Sequence, residues 1–215
     1  MKKIAIIIAA AVVVTLSTPA NASVGRPFAY GGFSGGMMLH AGWAAGGRMS
    51  LTTPSGAVAG GQDVRGVPVG IGGSVKLHLG DHLRVGTEGY GTYLSYGGGT
   101  GSRISIGWAG ALVDWQWHAG KLHPFAGVTI GGGVLRNNTL LDHAYEDFVL
   151  EQNMSYRKYS FMAVTPFVGL EVEIGSRVRL AFKADWLINA SRYRPDFPSG
   201  IRLYVGFIFY HGSRQ

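Results

Sequence analysis

From Val67 to Leu79 the chain alternates. Val67, Val69, Ile71, Val75, Leu77 and Leu79 are interleaved with Pro68, Gly70, Gly72, Ser74, Lys76 and His78. A period of two marks a strand with one apolar and one polar face. Inside a soluble sandwich Lys76 and His78 would need partners, whereas a membrane barrel turns its apolar face out to lipid and its polar face inward.

The same design recurs along the chain. A first strand over Phe33 to Trp43 sets Phe33, Met37, Leu39, Ala41 and Trp43 against Ser34, Met38 and His40. After the turn Gly80-Asp81-His82, a third strand alternates Leu83, Val85, Thr87 and Tyr93 with Arg84, Glu88, Tyr90 and Thr92. A fourth, Arg103 to His118, puts Ala109, Ala111, Val113, Trp115 and Trp117 outward and Asp114 and Gln116 inward. Ile104, Ile106 and Trp108 fit that facing poorly, so the pattern predicts a bulge near Leu112 and Val113.

The turn Ala119-Gly120-Lys121 precedes a fifth strand, with Ala126, Val128, Ile130 and Val134 opposed to His123, Phe125 and Thr129. The sixth, Phe161 to Ile174, turns Met162, Val164, Val168, Leu170, Val172 and Ile174 outward, with Glu171 and Glu173 inward. Past Gly175-Ser176-Arg177, the seventh sets Val178, Leu180, Phe182, Ala184, Trp186 and Ile188 against Arg179, Lys183, Asp185 and Asn189. The eighth, Ile201 to Tyr210, points Ile201, Leu203, Val205, Phe207 and Phe209 outward.

Connections after strands one, three, five and seven are long, and those after two, four and six have about three residues, the rhythm of barrels with short periplasmic turns and longer external loops. The predicted fold class is all-β, an eight-stranded antiparallel up-and-down transmembrane barrel. The long connections are Ala44 to Gly66, Gly97 to Ser102, Arg136 to Tyr159 and Asn189 to Ser199. Arg136 to Tyr159 carries a possible short amphipathic helix and the candidate partner-binding residues Asp142, Tyr145, Glu146 and Phe148.

Residues 1–22 read as a secretory signal peptide: Lys2 and Lys3, an apolar run from Ile4 to Leu16, then Ala20-Asn21-Ala22 before cleavage at Ser23. The expected single domain is 23–215. No later stretch approaches the roughly 20 apolar residues a membrane helix needs, so residence in a membrane requires a closed barrel. Removing Lys2 and Lys3 lowers the formal charge of +7 by two. The scattered basic residues of an exported chain point away from nucleic acid and toward anionic lipid or lipopolysaccharide phosphates. With no cysteine there is neither a disulfide framework nor a thiolate metal site. The 35 glycines lack a repeat, and 47% apolar content argues against disorder.

The pattern Phe33 to Phe209, with Pro124-Phe125-Ala126-Gly127-Val128 and a closing aromatic strand, resembles the small outer-membrane barrels of the outer membrane protein A and X type. That resemblance implies the bacterial outer membrane and delivery by the barrel assembly machinery. Members of that family end on an aromatic residue that looks like the sorting signal. Here Phe209-Tyr210 is followed by His211-Gly212-Ser213-Arg214-Gln215, a departure from the pattern.

Nine charges fall on inward positions: Lys76, Arg84, Glu88, Asp114, Glu171, Glu173, Arg179, Lys183 and Asp185. An eight-stranded lumen has room only for its own side chains, so they are read as a paired internal network without a continuous pore. Catalytic signals are weak. Gly32-Phe33-Ser34-Gly35-Gly36 fits G-x-S-x-G but opens a strand, not the strand-to-helix turn of a nucleophile elbow. His211 and Ser213 resemble the His-x-Ser spacing of lipid A deacylases, without an acidic residue after them. His78, His82, His118 and His123 lie near the short turns, where zinc would accept imidazoles, but spacing alone fixes no site.

The reading is therefore a non-enzymatic barrel with a plugged lumen and a structural or surface-interaction role through external loops, with an unidentified surface partner. No cofactor, metal or catalytic residue is assigned. The alternatives are a lipid-modifying enzyme of the lipid A deacylase kind and a soluble periplasmic barrel binding a small apolar ligand.

Overall fold

A computed structural model describes residues 29–52, 58–97, 101–140 and 154–212, with side-chain placement omitted for 49–61 and 154. Residues 1–28, with the expected signal peptide, and 141–153, with Asp142, Tyr145, Glu146, Phe148 and the possible helix, lie outside the described residues.

Among the described residues nine antiparallel strands form one sheet: β1 (Tyr30–Thr52), β2 (Val58–Gly66), β3 (Val69–Leu79), β4 (Leu83–Tyr96), β5 (Ser102–Gln116), β6 (Leu122–Leu140), β7 (Met154–Glu173), β8 (Val178–Asn189) and β9 (Gly200–His211). β1 pairs with both β2 and β3, each strand from β3 to β8 pairs with the next, and β1 also pairs with β9, from Phe33↔His211 to Ala44↔Gly200, which closes the ring.

Nine strands make an eight-membered wall because β2 and β3 share one position. The lower part of β1, Tyr30 to Ala41, pairs with β3, and its upper part, Ala44 to Thr52, pairs with β2. Pro68 separates the two. It has no N–H to give the ladder, which breaks there, while its carbonyl accepts from the Gly42 amide at 3.1 Å.

Ala44 to Gly66 is therefore not the open loop expected from its composition. It is a hairpin that prolongs the wall, with a bulge between Ala45 and Arg48. It is held by the ladder, by Ala44 and Val64 in the apolar core, and by the Ala45 and Gly47 amides, which donate to the Ser199 and Pro195 carbonyls at 2.9 and 2.7 Å. Likewise β6 runs on to Leu140 and β7 begins at Met154, so both ends of Arg136 to Tyr159 are also strand.

The predicted bulge at Leu112 and Val113 is absent. Pairing of β5 with β4 and β6 runs without a register shift from Ser102 to Gln116. Its alternation never slips; Ile104, Ile106, Trp108 and Leu112 face inward with Asp114 and Gln116, and all are buried. The interior thus has two characters. Toward the long connections, Met38, Leu94, Ile104, Ile106, Trp108, Leu135, Phe161 and Leu187 form an apolar core, closed by Phe197 from the β8–β9 connection. Polar side chains and a small Leu112, Phe125 and Phe167 cluster fill the other half.

Outside, the facing is as the alternation predicts. Met37, Leu39, Ile71, Val75, Ile130, Met162, Val168, Phe182, Leu203 and Phe207 are exposed. A belt of this kind around β1 and β3 to β9 exceeds what a water-soluble monomer shows and matches the lipid-facing band of a membrane barrel.

Candidate functional site

The inward alternation delivers the nine predicted charges to one side of the wall, and the closed ring brings them within bonding distance. Near the short turns Arg84 is the hub. Its guanidinium meets Asp114 at 2.5 and 2.9 Å and Glu171 at 2.7 Å, and it donates to the Tyr210 hydroxyl at 3.2 Å. Lys76 reaches the same Asp114 at 2.8 Å. Glu171 also accepts from Gln116 at 3.0 Å and from the Tyr210 hydroxyl.

A second cluster lies on β4, β8 and β9. Lys183 bonds Glu88 at 2.6 Å, and Glu88 accepts from Thr129, also at 2.6 Å. Lys183 is 3.7 Å from Asp185, which holds Arg202 through two bonds of 2.8 and 2.9 Å. Arg202 was absent from the predicted set. Its inward parity was legible in β9, between outward Ile201 and Leu203, and it supplies the fifth cation against five anions. The network is balanced. Lys183 also lies over the rings of Phe167 and Tyr204, at 4.6 and 4.8 Å from their centroids.

Glu173 and Arg179, the remaining predicted members, sit at the short-turn rim. They pair at 2.9 Å, and Glu173 accepts a second contact from His123 at 3.0 Å. A cavity of about 650 Å³ opens at this end, lined by His78, Glu173, Arg177, Arg179, Tyr210 and His211 among others. At the opposite end, Tyr96 and Asn137 bond at 2.6 Å, and Tyr159 donates to Asp196 at 3.1 Å, so the β8–β9 connection is tied across the top of the apolar core. Asp196 was not foreseen as an inward residue, because an irregular connection carries no alternation to read.

The four histidines do not form one site. His82, His118 and His123 stand in a row, with ring centroids 5.7 and 5.1 Å apart. Yet His82 is bonded to the Gln116 carbonyl and His123 to Glu173. Burial, and after it the neighbouring His123 and His82, hold His118 below the usual imidazole range. His78 lies apart, against Ser34 at 2.9 Å and the Tyr210 ring. Among the described residues no group of three or more ligating side chains is placed to hold a metal ion.

The Ser34–His78 contact is a pairing the sequence did not reveal, since 44 residues separate the two. Ser34 is fully buried, on a strand rather than at an elbow, so a substrate has no approach to its hydroxyl. His40 bonds Thr92 at 3.0 Å deep in the lumen. His211 is the last residue of β9, its ring tilted against that of Phe33 at 5.1 Å between centroids, rather than lying in a tail beyond the strand, and Ser213 lies outside the described residues. Ser34, His40 and His211 therefore share no lipid-facing rim.

Compared by sequence, the chain matches no family model and no curated protein. Compared by structure, it is similar to Neisserial surface protein A, at a TM-score of 0.51 and 12% identity, over 85% of this chain and 99% of that one. It is also similar to Ail, the attachment invasion locus protein of Yersinia pestis, solved with the heparin analogue sucrose octasulfate, at a TM-score of 0.50 and 8% identity, over 84% and 98%. The fold is that of the small outer-membrane β-barrels, the type the strand pattern resembles.

Proposed function

We propose that the protein is a non-catalytic outer-membrane barrel whose filled lumen makes it a rigid mount for external hairpins that contact a surface partner. The observation that carries this reading is the interior itself. Ten balanced charges and an apolar core occupy the lumen from one rim to the other, in a ring whose bore suits side chains rather than a water column.

Short turns place the β3–β4, β5–β6 and β7–β8 end in the periplasm, and the β1–β2 and β6–β7 hairpins then rise outside. The β6–β7 hairpin leads into 141–153, where Asp142, Tyr145, Glu146 and Phe148 offer mixed acidic and aromatic contacts. Recognition on loops over a rigid scaffold is the usual division of labour. Insertion from the periplasm by the barrel assembly machinery fits the start of β1 at Tyr30 and the end of β9 at His211, both on the short-turn side.

Single-channel recording in planar bilayers tests the plug. Folded protein is expected to give no steady porin-like current, and large, sustained steps from pure protein would refute the filled-lumen reading. Mass spectrometry of lipid A and phospholipids incubated with the protein is expected to show intact acyl chains. Chain loss or gain that disappears on changing Ser34, His40 or His211 would establish an enzyme instead.

A further inference from the structure

Three cations stand together on the outer wall of the barrel. Ile104, Leu135 and Phe161 are buried in the lumen, so alternation points Arg103 of β5, Arg136 of β6 and Lys158 of β7 outward, and all three are exposed. Arg136 and Lys158 are direct cross-strand partners. Ser105 is the β5 partner of Arg136, which puts Arg103 one diagonal step away. Direct partners have Cβ atoms about 5 Å apart and diagonal neighbours about 7 to 8 Å.

Like charges at such positions destabilise a sheet unless an anion lies between them. Among the described residues none of the three has an ion pair, whereas Arg65, elsewhere on the same end, is bridged to Asp63 at 3.5 Å. Position adds the second argument. Along β6 the outward sequence is Ile130, Gly132, Val134, then Arg136; along β7 it is Val164, Met162, Ser160, then Lys158. Each cation is the first charge above the apolar belt, at the height of lipid headgroups. Ser105 and Ser160 flank them as small hydroxyl donors that leave the wall open to a bulky ligand.

We propose that Arg103, Arg136 and Lys158 form a docking site for the phosphate groups of a phosphorylated glycolipid of the outer leaflet, whose acyl chains lie along the β5, β6 and β7 wall beneath. Two guanidinium forks and an ammonium on one surface suit a phosphate ester, which arginine grips with paired N–H donors. Continuity with the apolar belt selects a lipid over a soluble anion, because only a lipid uses both surfaces together. The site rests on the reading that the belt is immersed in a bilayer.

The test uses full-length mature barrel refolded into phosphatidylcholine vesicles that contain either bisphosphorylated lipid A or its dephosphorylated form. Native mass spectrometry reads the lipid retained on the released barrel. Wild-type protein is expected to retain the phosphorylated form preferentially, and R103S/R136S/K158S to lose roughly tenfold to a hundredfold of that preference. R65S is expected to match wild type. Should the triple variant fold poorly, R136S and K158S alone are each expected to lower the preference several-fold.

Equal retention of both lipids by wild type, or an undiminished preference in the triple variant, would overturn the site. Stronger binding of soluble heparin than of lipid A at these residues would also overturn it, by assigning them to an external polyanion. Heat-dependent gel mobility reports insertion: its absence defeats the bilayer reading and the site together, whereas an inserted barrel with no phosphate preference ends only the site.

Discussion

Replacing Arg84 by Met removes the hub of the buried network while keeping most of its volume. Arg84 is 1% exposed and touches Asp114 through two nitrogens, Glu171 through a third contact and the Tyr210 hydroxyl besides. Without it, Asp114 keeps Lys76 at 2.8 Å, but Glu171 is left with Arg179 at 3.5 Å and two neutral donors. Five anions would then face four cations, most of them buried among side chains.

Breaking a buried pair by deleting one partner costs about 3 to 5 kcal/mol. That corresponds to a shift of the folding equilibrium of roughly a hundredfold to several thousandfold. Equilibrium urea unfolding in lipid vesicles, followed by tryptophan fluorescence and by heat-dependent gel mobility, measures it. Neutralising a pair together is a companion measurement: K183M with E88Q is expected to recover more than half the loss of K183M alone, since a charge removed with its partner leaves less behind. A cost below about 1 kcal/mol for R84M, typical of an exposed pair, would refute the view that the lumen holds its charges dry.

Val168, 59% exposed in the middle of the outward belt, should lose about 2 to 4 kcal/mol of barrel stability as V168R, and unfolding in bilayers of that variant checks the facing. At Gly169, its inward neighbour, an added Cβ would run into the Phe125 ring and come within 2.5 Å of the Phe182 carbonyl. G169A is therefore expected to cost about 1 to 3 kcal/mol in the same assay, through overpacking rather than charge. Deleting 141–151 should leave heat-dependent mobility unchanged, because the β6–β7 ladder up to Leu140↔Met154 remains, while abolishing capture of a partner that uses Asp142, Tyr145, Glu146 or Phe148.

The period-two alternation was sufficient for the wall. Wherever a strand has lipid on one side and a polar lumen on the other, the two faces differ in chemistry and the facing can be read directly, as for β3 and β8. It was insufficient for β5, where Ile104, Ile106 and Trp108 face inward below Ser102 and above Asp114. There the inward positions are apolar while the outward ones, Arg103, Ser105, Gly107 and Ala109, are polar or small, so the contrast runs opposite to that of the rest of the strand and the pattern imitated a bulge that the unbroken register excludes. Over Ala44 to Gly66 the sequence is mostly small or polar, so it carries too few apolar positions to mark the strands there.

What the sequence determined by itself was local: which side of each strand a residue takes, where three-residue turns such as 119–121 reverse the chain, and that positions such as Lys76, Glu171 and Lys183 must share an interior. Partner choice was decided only by closure. Arg84 and Glu171 are 87 residues apart, and Lys183 and Glu88 are 95 apart. Nothing local encodes such pairs, because their geometry follows from strand tilt and ring closure, in which β1 meets β9 across the full length of the chain. The same holds for the Arg103, Arg136 and Lys158 patch on the outer wall: the alternation gives each residue its outward face, and only the register of β5, β6 and β7 sets them side by side.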